Sequence, residues 1–205
     1  MSVSAQIVSN LAESADSFTH AGNVFSGFNI DFGNASTFTT GSNSGGYTLT
    51  SATISFNDTE GSPANIQVTV NSDSGGDPGA SLGTLAGANP TTAANYTFTN
   101  AGISLSANTT YFLTLLASGS PTGSSNRYNA VTTFSDNETT SDGWSIGDGG
   151  RSTSDGGANW GVGLTMKFSV TATPVPEPHE YAMFVGLGLV GFVVARRHMV
   201  SKALA

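Results

Sequence analysis

The chain has 205 residues and a formal net charge of −8, and only 10% of its residues are charged. This length allows one domain with a hydrophobic core and a shorter tail. The acidic balance argues against nucleic acid as a partner, because a negative protein surface repels phosphate. The absence of cysteine excludes disulfide bonds, thiolate catalysis and cysteine-ligated zinc.

The first residues have the form of a cleaved export signal. Val3, Ser4 and Ala5 follow the small-x-small pattern that a signal peptidase cuts. We interpret residues 1–5 as the remnant of a signal peptide. An ordinary frayed N-terminus is the alternative interpretation.

Residues 6–173 alternate between apolar and polar positions, as half-buried β-strands do. Gly, Ser, Thr and Asn are abundant in this part of the chain and disfavour helix. Short alternating runs, separated by turn-forming clusters, occupy residues 28–32, 47–49, 52–56, 66–70, 96–98, 103–105 and 111–115. The pattern predicts an all-β domain, an antiparallel β-sandwich of the jelly-roll kind.

The longest alternating run lies near the end of this domain. Its apolar positions, all expected on one buried face, are Trp160, Val162, Leu164, Met166, Phe168 and Val170. The residues between them are small or polar. We therefore predict one long strand with a single solvent-exposed face.

The composition changes at residue 174. Pro174, Pro176 and Pro178 hold the backbone extended around Glu177, because proline fixes φ and keeps the preceding residue out of the helical region. We expect residues 174–205 to be separate from the domain.

An apolar segment follows at residues 181–195, which carry no charge. A helix of that length spans about 22 Å, less than the ~30 Å hydrocarbon core of a bilayer. Snorkelling of Arg196 and local thinning of the bilayer would cover part of the difference. We predict a short transmembrane helix with Arg196 and Arg197 on the cytoplasmic side. A buried C-terminal helix of the domain is the alternative.

Together, the Pro176-Glu177-Pro178 motif, the apolar segment and the arginine pair resemble the PEP-CTERM sorting signal. The resemblance implies export through the general secretion route and an inner-membrane intermediate. It implies that an exosortase, an integral-membrane enzyme, recognises the motif. It also implies delivery of the processed domain to the cell surface or extracellular matrix of a Gram-negative-type bacterium.

Four short stretches of the domain resemble the choice-of-anchor R domain, which occurs on exported bacterial proteins with interchangeable C-terminal anchors. The stretches are residues 38–41, 46–49, 72–79 and 105–111. This resemblance implies an exposed β-sandwich and supplies no activity to carry over.

Closely spaced oxygen ligands make calcium the best cofactor hypothesis. Asp73 and Asp77 flank a Gly-Gly pair, and hard cations bind such carboxylate and carbonyl groups. The interpretation we prefer is that these side chains cap their own turn, so we expect no cofactor. No other cofactor is indicated.

Catalytic constellations are weak in this sequence. His20 is the one histidine of the domain, and no serine stands out as its partner. Paired carboxylates for glycoside hydrolysis stay an open alternative, although no pair is singled out. We therefore expect a non-enzymatic protein.

An aromatic platform would instead make the domain a lectin-like carbohydrate-binding module associated with exopolysaccharide. Trp160 leads the long alternating run and is predicted to lie in the core. Trp144 lies in a loop rich in Gly and Asp and is the candidate for sugar stacking.

Overall fold

A computed structural model describes residues 4–24, 30–121, 125–134, 137–141, 143–147 and 149–177, together with Leu189 and Phe192. The strands are β1 (Gln6–Ser9), β2 (Ser17–Asn23), β3 (Asp31–Thr39), β4 (Tyr47–Glu60), β5 (Gln67–Ser74), β6 (Asp77–Leu85), β7 (Ala94–Leu105), β8 (Thr110–Leu116), β9 (Asn126–Thr133), β10 (Thr139–Thr140), β11 (Ser145–Ile146), β12 (Gly150–Thr153), β13 (Gly161–Gly163), β14 (Thr165–Met166) and β15 (Phe168–Pro174). The predicted all-β architecture is confirmed.

The strands form a β-sandwich-like fold of two antiparallel layers. One layer contains β1, β2, β4, β7, β9, β10, β14 and β15, and the other contains β3, β5, β6, β8, β11, β12 and β13. Pairing of β2 with β3 joins the layers on one side. A bridge between Ala86 and Thr99 joins them on the other.

Two pairs of predicted strands are in fact single strands that contain a bulge. Residues 47–49 and 52–56 both belong to β4, whose register shifts between Leu49 and Ser51. Residues 96–98 and 103–105 both belong to β7. A bulge inserts an extra residue and thereby changes which positions face the core, so one strand looks like two in sequence.

The predicted long strand from Trp160 to Val170 is wrong. Met166 and Phe168 are fully buried, whereas the Val162 side chain is 87% exposed. The chain crosses here from one layer to the other, since β13 pairs with β12 and β15 pairs with β4. The alternation of apolar and polar residues is continuous in sequence, but its two halves belong to strands in different layers.

The two ends of the domain lie side by side. β1 and β15 are antiparallel neighbours, and Gln6 is paired with Ala172. Pairing of β15 with β4 continues to Pro174, one residue past the predicted boundary. The chain before Gln6 and the chain after Pro174 thus leave the sandwich at the same edge, called the exit edge below.

The predicted membrane helix at 181–195 and Arg196 and Arg197 lie outside the described residues, apart from Leu189 and Phe192. Within the described part of the chain, no helix is both long enough and apolar enough to cross a membrane.

Candidate functional site

The segment that follows β15 is docked on the turn between β3 and β4, the exit turn (residues 42–46). The backbone N–H of Val175 donates to the carbonyl of Gly46 over 2.9 Å. The side-chain amide of Asn43 donates to the carbonyl of Val175 over 2.9 Å and to that of Gly46 over 2.6 Å. These bonds tie the start of the tail to the folded domain.

The exit turn also holds the acid of the predicted sorting motif. The backbone N–H of Ser44 donates to Oε1 of Glu177 over 3.2 Å. Pro176 and Glu177 are both partly buried, and Pro178 lies outside the described residues. The motif therefore begins in contact with the domain.

Glycine at position 45 makes this docking sterically feasible. A Cβ on Gly45 would lie 2.4 Å from the carbonyl oxygen of Val175, a distance that real Cβ atoms essentially never show. The adjacent Gly46 has a φ of 74°, a conformation that side chains disfavour. The Gly45-Gly46 pair is the sequence signal for this contact, which single-sequence analysis missed.

The exit edge carries a cavity of about 400 Å³. It is lined by Gln6, Ser42, Asn43, Tyr47 and Pro174. The start of β1, the exit turn and the end of β15 thus meet around one opening.

The predicted calcium ligands lie in the β5–β6 hairpin, where each carboxylate already has a partner. Oδ1 of Asp73 accepts from the N–H of Gly76 over 2.8 Å. Oδ1 of Asp77 accepts from Nε of Arg151 over 2.7 Å, and this Nε also donates to the carbonyl of Gly76. The φ values of Gly75 and Gly76 are both positive, as in a two-residue hairpin turn.

These contacts favour turn capping over a metal site at Asp73 and Asp77. Across the described ranges, no group of three His, Cys, Asp or Glu side chains is arranged to hold a metal ion.

Trp144, the predicted sugar-stacking residue, is buried and only 2% exposed. Its ring stacks on Phe38 with a centroid distance of 6.2 Å, and Tyr47 meets it edge-on at 4.9 Å. Pairing of β11 with β3 brings the loop onto the sheet and directs the indole inward. Its face is therefore closed to a carbohydrate.

Trp160 takes the more accessible position, contrary to its prediction as a core residue. It is partly exposed and borders a shallow cavity of about 440 Å³, the distal groove. Its lining includes Phe32, Ser152, Thr153, Asp155, Asn159 and Trp160. The burial of the two tryptophans is thus the reverse of what the sequence predicts.

A third cavity of about 420 Å³ has two glutamates in its wall. Oε2 of Glu13 accepts from the hydroxyl of Thr133 over 3.1 Å, and Oε1 of Glu138 accepts from the N–H of Ile146 over 3.3 Å. Both carboxylates therefore tie loops to strands, and Phe134 beside them is 70% exposed.

His20 belongs to a hydrogen-bonded network on the outer face of β2 and β9. Its Nδ1 lies 2.7 Å from Oδ1 of Asn129. The amide of Asn129 donates to Asp58 and, over 3.1 Å, to Glu60, which Arg127 also contacts. Burial lowers the pKa of His20 below 6.5. In the part of the chain that the structure describes, the imidazole of His20 contacts the Asn129 amide and the Phe18 ring.

No protein-family model matches the chain, and no curated protein or solved structure is detectably similar to it.

Proposed function

We propose that this chain is an exported, non-enzymatic protein of the bacterial cell surface or extracellular matrix. Its domain is a β-sandwich of jelly-roll kind. Residues 174–205 act as the sorting signal, with the Pro176-Glu177-Pro178 motif read by an exosortase. Residues 181–195 form the membrane helix of an inner-membrane intermediate.

The observation that carries this proposal is the docking of Val175 and Glu177 on the exit turn. Pro176 and Glu177 lie outside the hydrophobic core, so this part of the motif needs no unfolding of the sandwich to become accessible. Because proline limits the conformations of the free chain, an enzyme groove binds such a segment at a low entropic cost.

The position of the chain ends fits the same role. A membrane segment after Pro174 and an export signal before Gln6 would both attach at the exit edge. A domain held in this way points its opposite pole away from the membrane. Its acidic surface, with little Lys or Arg, also suits a position outside the cytoplasm.

Mass spectrometry of the wild-type protein released from the surface of an exosortase-bearing host tests the proposal. We expect the mature form to lack the apolar segment 181–195. Recovery of mature protein that still ends at Ala205 would contradict sorting and leave a plain membrane anchor.

A lectin-like carbohydrate-binding module associated with exopolysaccharide is the second candidate function. The burial of Trp144 removes the residue on which the sequence based it. The partly exposed Trp160 in the distal groove is the observation that keeps this candidate.

A further inference from the structure

The distal groove lies at the pole of the sandwich opposite the exit edge. β3 begins at Asp31, which forms a bridge with Asp155 of the groove, and it ends at Thr39, just before the exit turn. A strand of nine residues spans roughly 30 Å. A domain attached at the exit edge would therefore present this groove outward.

The groove contains a carboxylate that is held in place before any ligand arrives. Oδ1 of Asp155 accepts from the hydroxyl of Thr153 over 2.7 Å and from the N–H of Asn159 over 2.9 Å. Oδ2 accepts from the side-chain amide of Asn159 over 2.7 Å. A carboxylate has about four acceptor sites, so this exposed group retains capacity for a donor from solution.

These bonds also stabilise the ionised form of Asp155 and extend it to more acidic pH than for an ordinary aspartate. The hydroxyl of Thr153 and the N–H groups of Asn159 lower the pKa of Asp155 to about 2. At neutral pH the group is therefore a hydrogen-bond acceptor, which suits the hydroxyl donors of a sugar.

The loop that carries the aromatic wall of the groove turns at a glycine. The φ of Gly157 is 95°, a conformation that side chains disfavour, and its position is in ordinary van der Waals range of the Trp160 ring. The loop from Asp155 to Trp160 thus places an indole beside an ionised acceptor and an amide. An apolar ring next to a few oriented polar groups is the usual composition of a small-ligand site.

We propose that the distal groove binds uncharged polysaccharide. The ring of Trp160 would stack on a sugar face, and Asp155 would accept from sugar hydroxyls. Residues 1–173 hold three basic against twelve acidic side chains, a net charge of −9. This charge, with the ionised Asp155 in the groove itself, disfavours chains of uronic acids. The inference rests on the second candidate function and names its ligand class and site.

The chain contains two tryptophans, so a ¹⁵N-labelled sample has two indole N–H signals to follow. We would titrate the purified full chain in detergent with cellohexaose, chitohexaose and maltohexaose, and with an oligoguluronate as the anionic probe. We expect at least one neutral probe to shift the Trp160 signal at millimolar concentration while the buried Trp144 signal stays in place. The oligoguluronate should shift neither signal.

Variants link the binding to the groove. Because Trp160→Ala removes its own indole signal, isothermal titration calorimetry measures binding by the variants. Trp160→Ala and Asp155→Asn should each weaken binding by about ten-fold, the scale of losing one central contact. Phe18→Ala is the matched control, because Phe18 is a 48% exposed aromatic residue on β2, outside the groove. If Trp160→Ala does not fold, Trp160→Phe and Asp155→Asn still report on the site.

Three results would overturn the inference: no shift of Trp160 with any neutral probe, an equal shift with the oligoguluronate, or undiminished binding by Asp155→Asn. The measurement uses purified protein and no exosortase. Its failure would therefore leave the sorting proposal intact, and a failure of sorting would leave this site intact.

Discussion

Gly45 and Val175 approach each other so closely that a methyl group on Gly45 would lie 2.4 Å from the carbonyl oxygen of Val175. These residues are 130 positions apart in sequence. The contact joins the exit turn to the segment that leads into the predicted sorting motif. A single added methyl group on Gly45 therefore tests the docking.

Gly45→Ala should release the docked segment. The added methyl group cannot be accommodated against backbone, so we expect Val175 to move and its N–H bond to Gly46 to break. Hydrogen exchange of the Val175 amide should then accelerate markedly. Gly161→Ala is the matched control, because its nearest neighbour would lie 4.0 Å away. Unchanged protection of Val175 in Gly45→Ala would show that the docking is not as described.

The charge and the shape of the sorting motif can be separated by substitution. Glu177→Gln keeps the shape and removes the charge, whereas Pro178→Ala loosens the backbone and keeps the charge. In a host with an exosortase, we expect either change to slow the loss of the tail and to leave unprocessed protein in the membrane fraction. Glu180→Gln is a matched control, since it removes a nearby charge outside the motif. Processing of Glu177→Gln and Pro178→Ala at the wild-type rate would count against recognition of the motif.

Truncation should show where the domain ends. We expect a 1–173 fragment to be soluble and folded, because the buried residues of β15, Phe168, Val170 and Ala172, are retained. It lacks the three hydrogen bonds that Val175 and Glu177 form with the exit turn, each worth up to about 1 kcal/mol. Its melting temperature should therefore lie about 2–10 °C below that of a 1–177 fragment. Aggregation of the 1–173 fragment would mean that the tail contributes to the core, and equal melting temperatures would mean that the docking adds no stability.

The side chain of Asn10 forms hydrogen bonds with backbone groups that would otherwise need a neighbouring strand. Its amide donates to the carbonyl of Met166 over 3.0 Å, and its Oδ1 accepts from the N–H of Phe168 over 2.6 Å. Asn10→Ala would leave both buried backbone groups unpaired, at a cost of about 2–4 kcal/mol in the free energy of unfolding. Chemical denaturation measures this loss. Asn57→Ala, at an exposed position, should change stability by less than about 0.5 kcal/mol, and a similar loss in both variants would contradict the role of Asn10.

His20 should make the domain less stable at mildly acidic pH. Burial lowers its pKa in the folded state below 6.5, so the unfolded chain binds the proton more strongly. His20 therefore does not change the free energy of unfolding at pH values well above 6.5. The free energy of unfolding falls as the pH drops from 6.5 towards the lower pKa that His20 has in the folded state. His20→Gln should flatten the stability profile in that window, with Asp58 and Glu60 left unchanged nearby. Identical pH profiles of the two proteins would show that His20 does not contribute.

Much of the fold follows from local sequence. Alternation in β4, β5 and β8 identified strands whose inward residues, such as Ile54 and Leu113, are fully buried. The Gly75-Gly76 pair after Asp73 identified a tight turn, because only glycine adopts those φ values without strain. These features depend on neighbours a few residues away, so a single sequence contains the information.

The tertiary structure alone decided the roles of the two tryptophans and the position of the tail. The loop around Trp144 looks exposed in sequence, yet pairing of β11 with β3 places its indole between Phe38 and Tyr47. Trp160 precedes an alternating run, yet the crossing between layers leaves it at the edge of a groove. The exit turn meets Glu177 only because β4 and β15 are neighbours in the sheet. Contacts between residues that are distant in sequence depend on strand pairing. Periodicity determines which residues face inward but not which strands become neighbours.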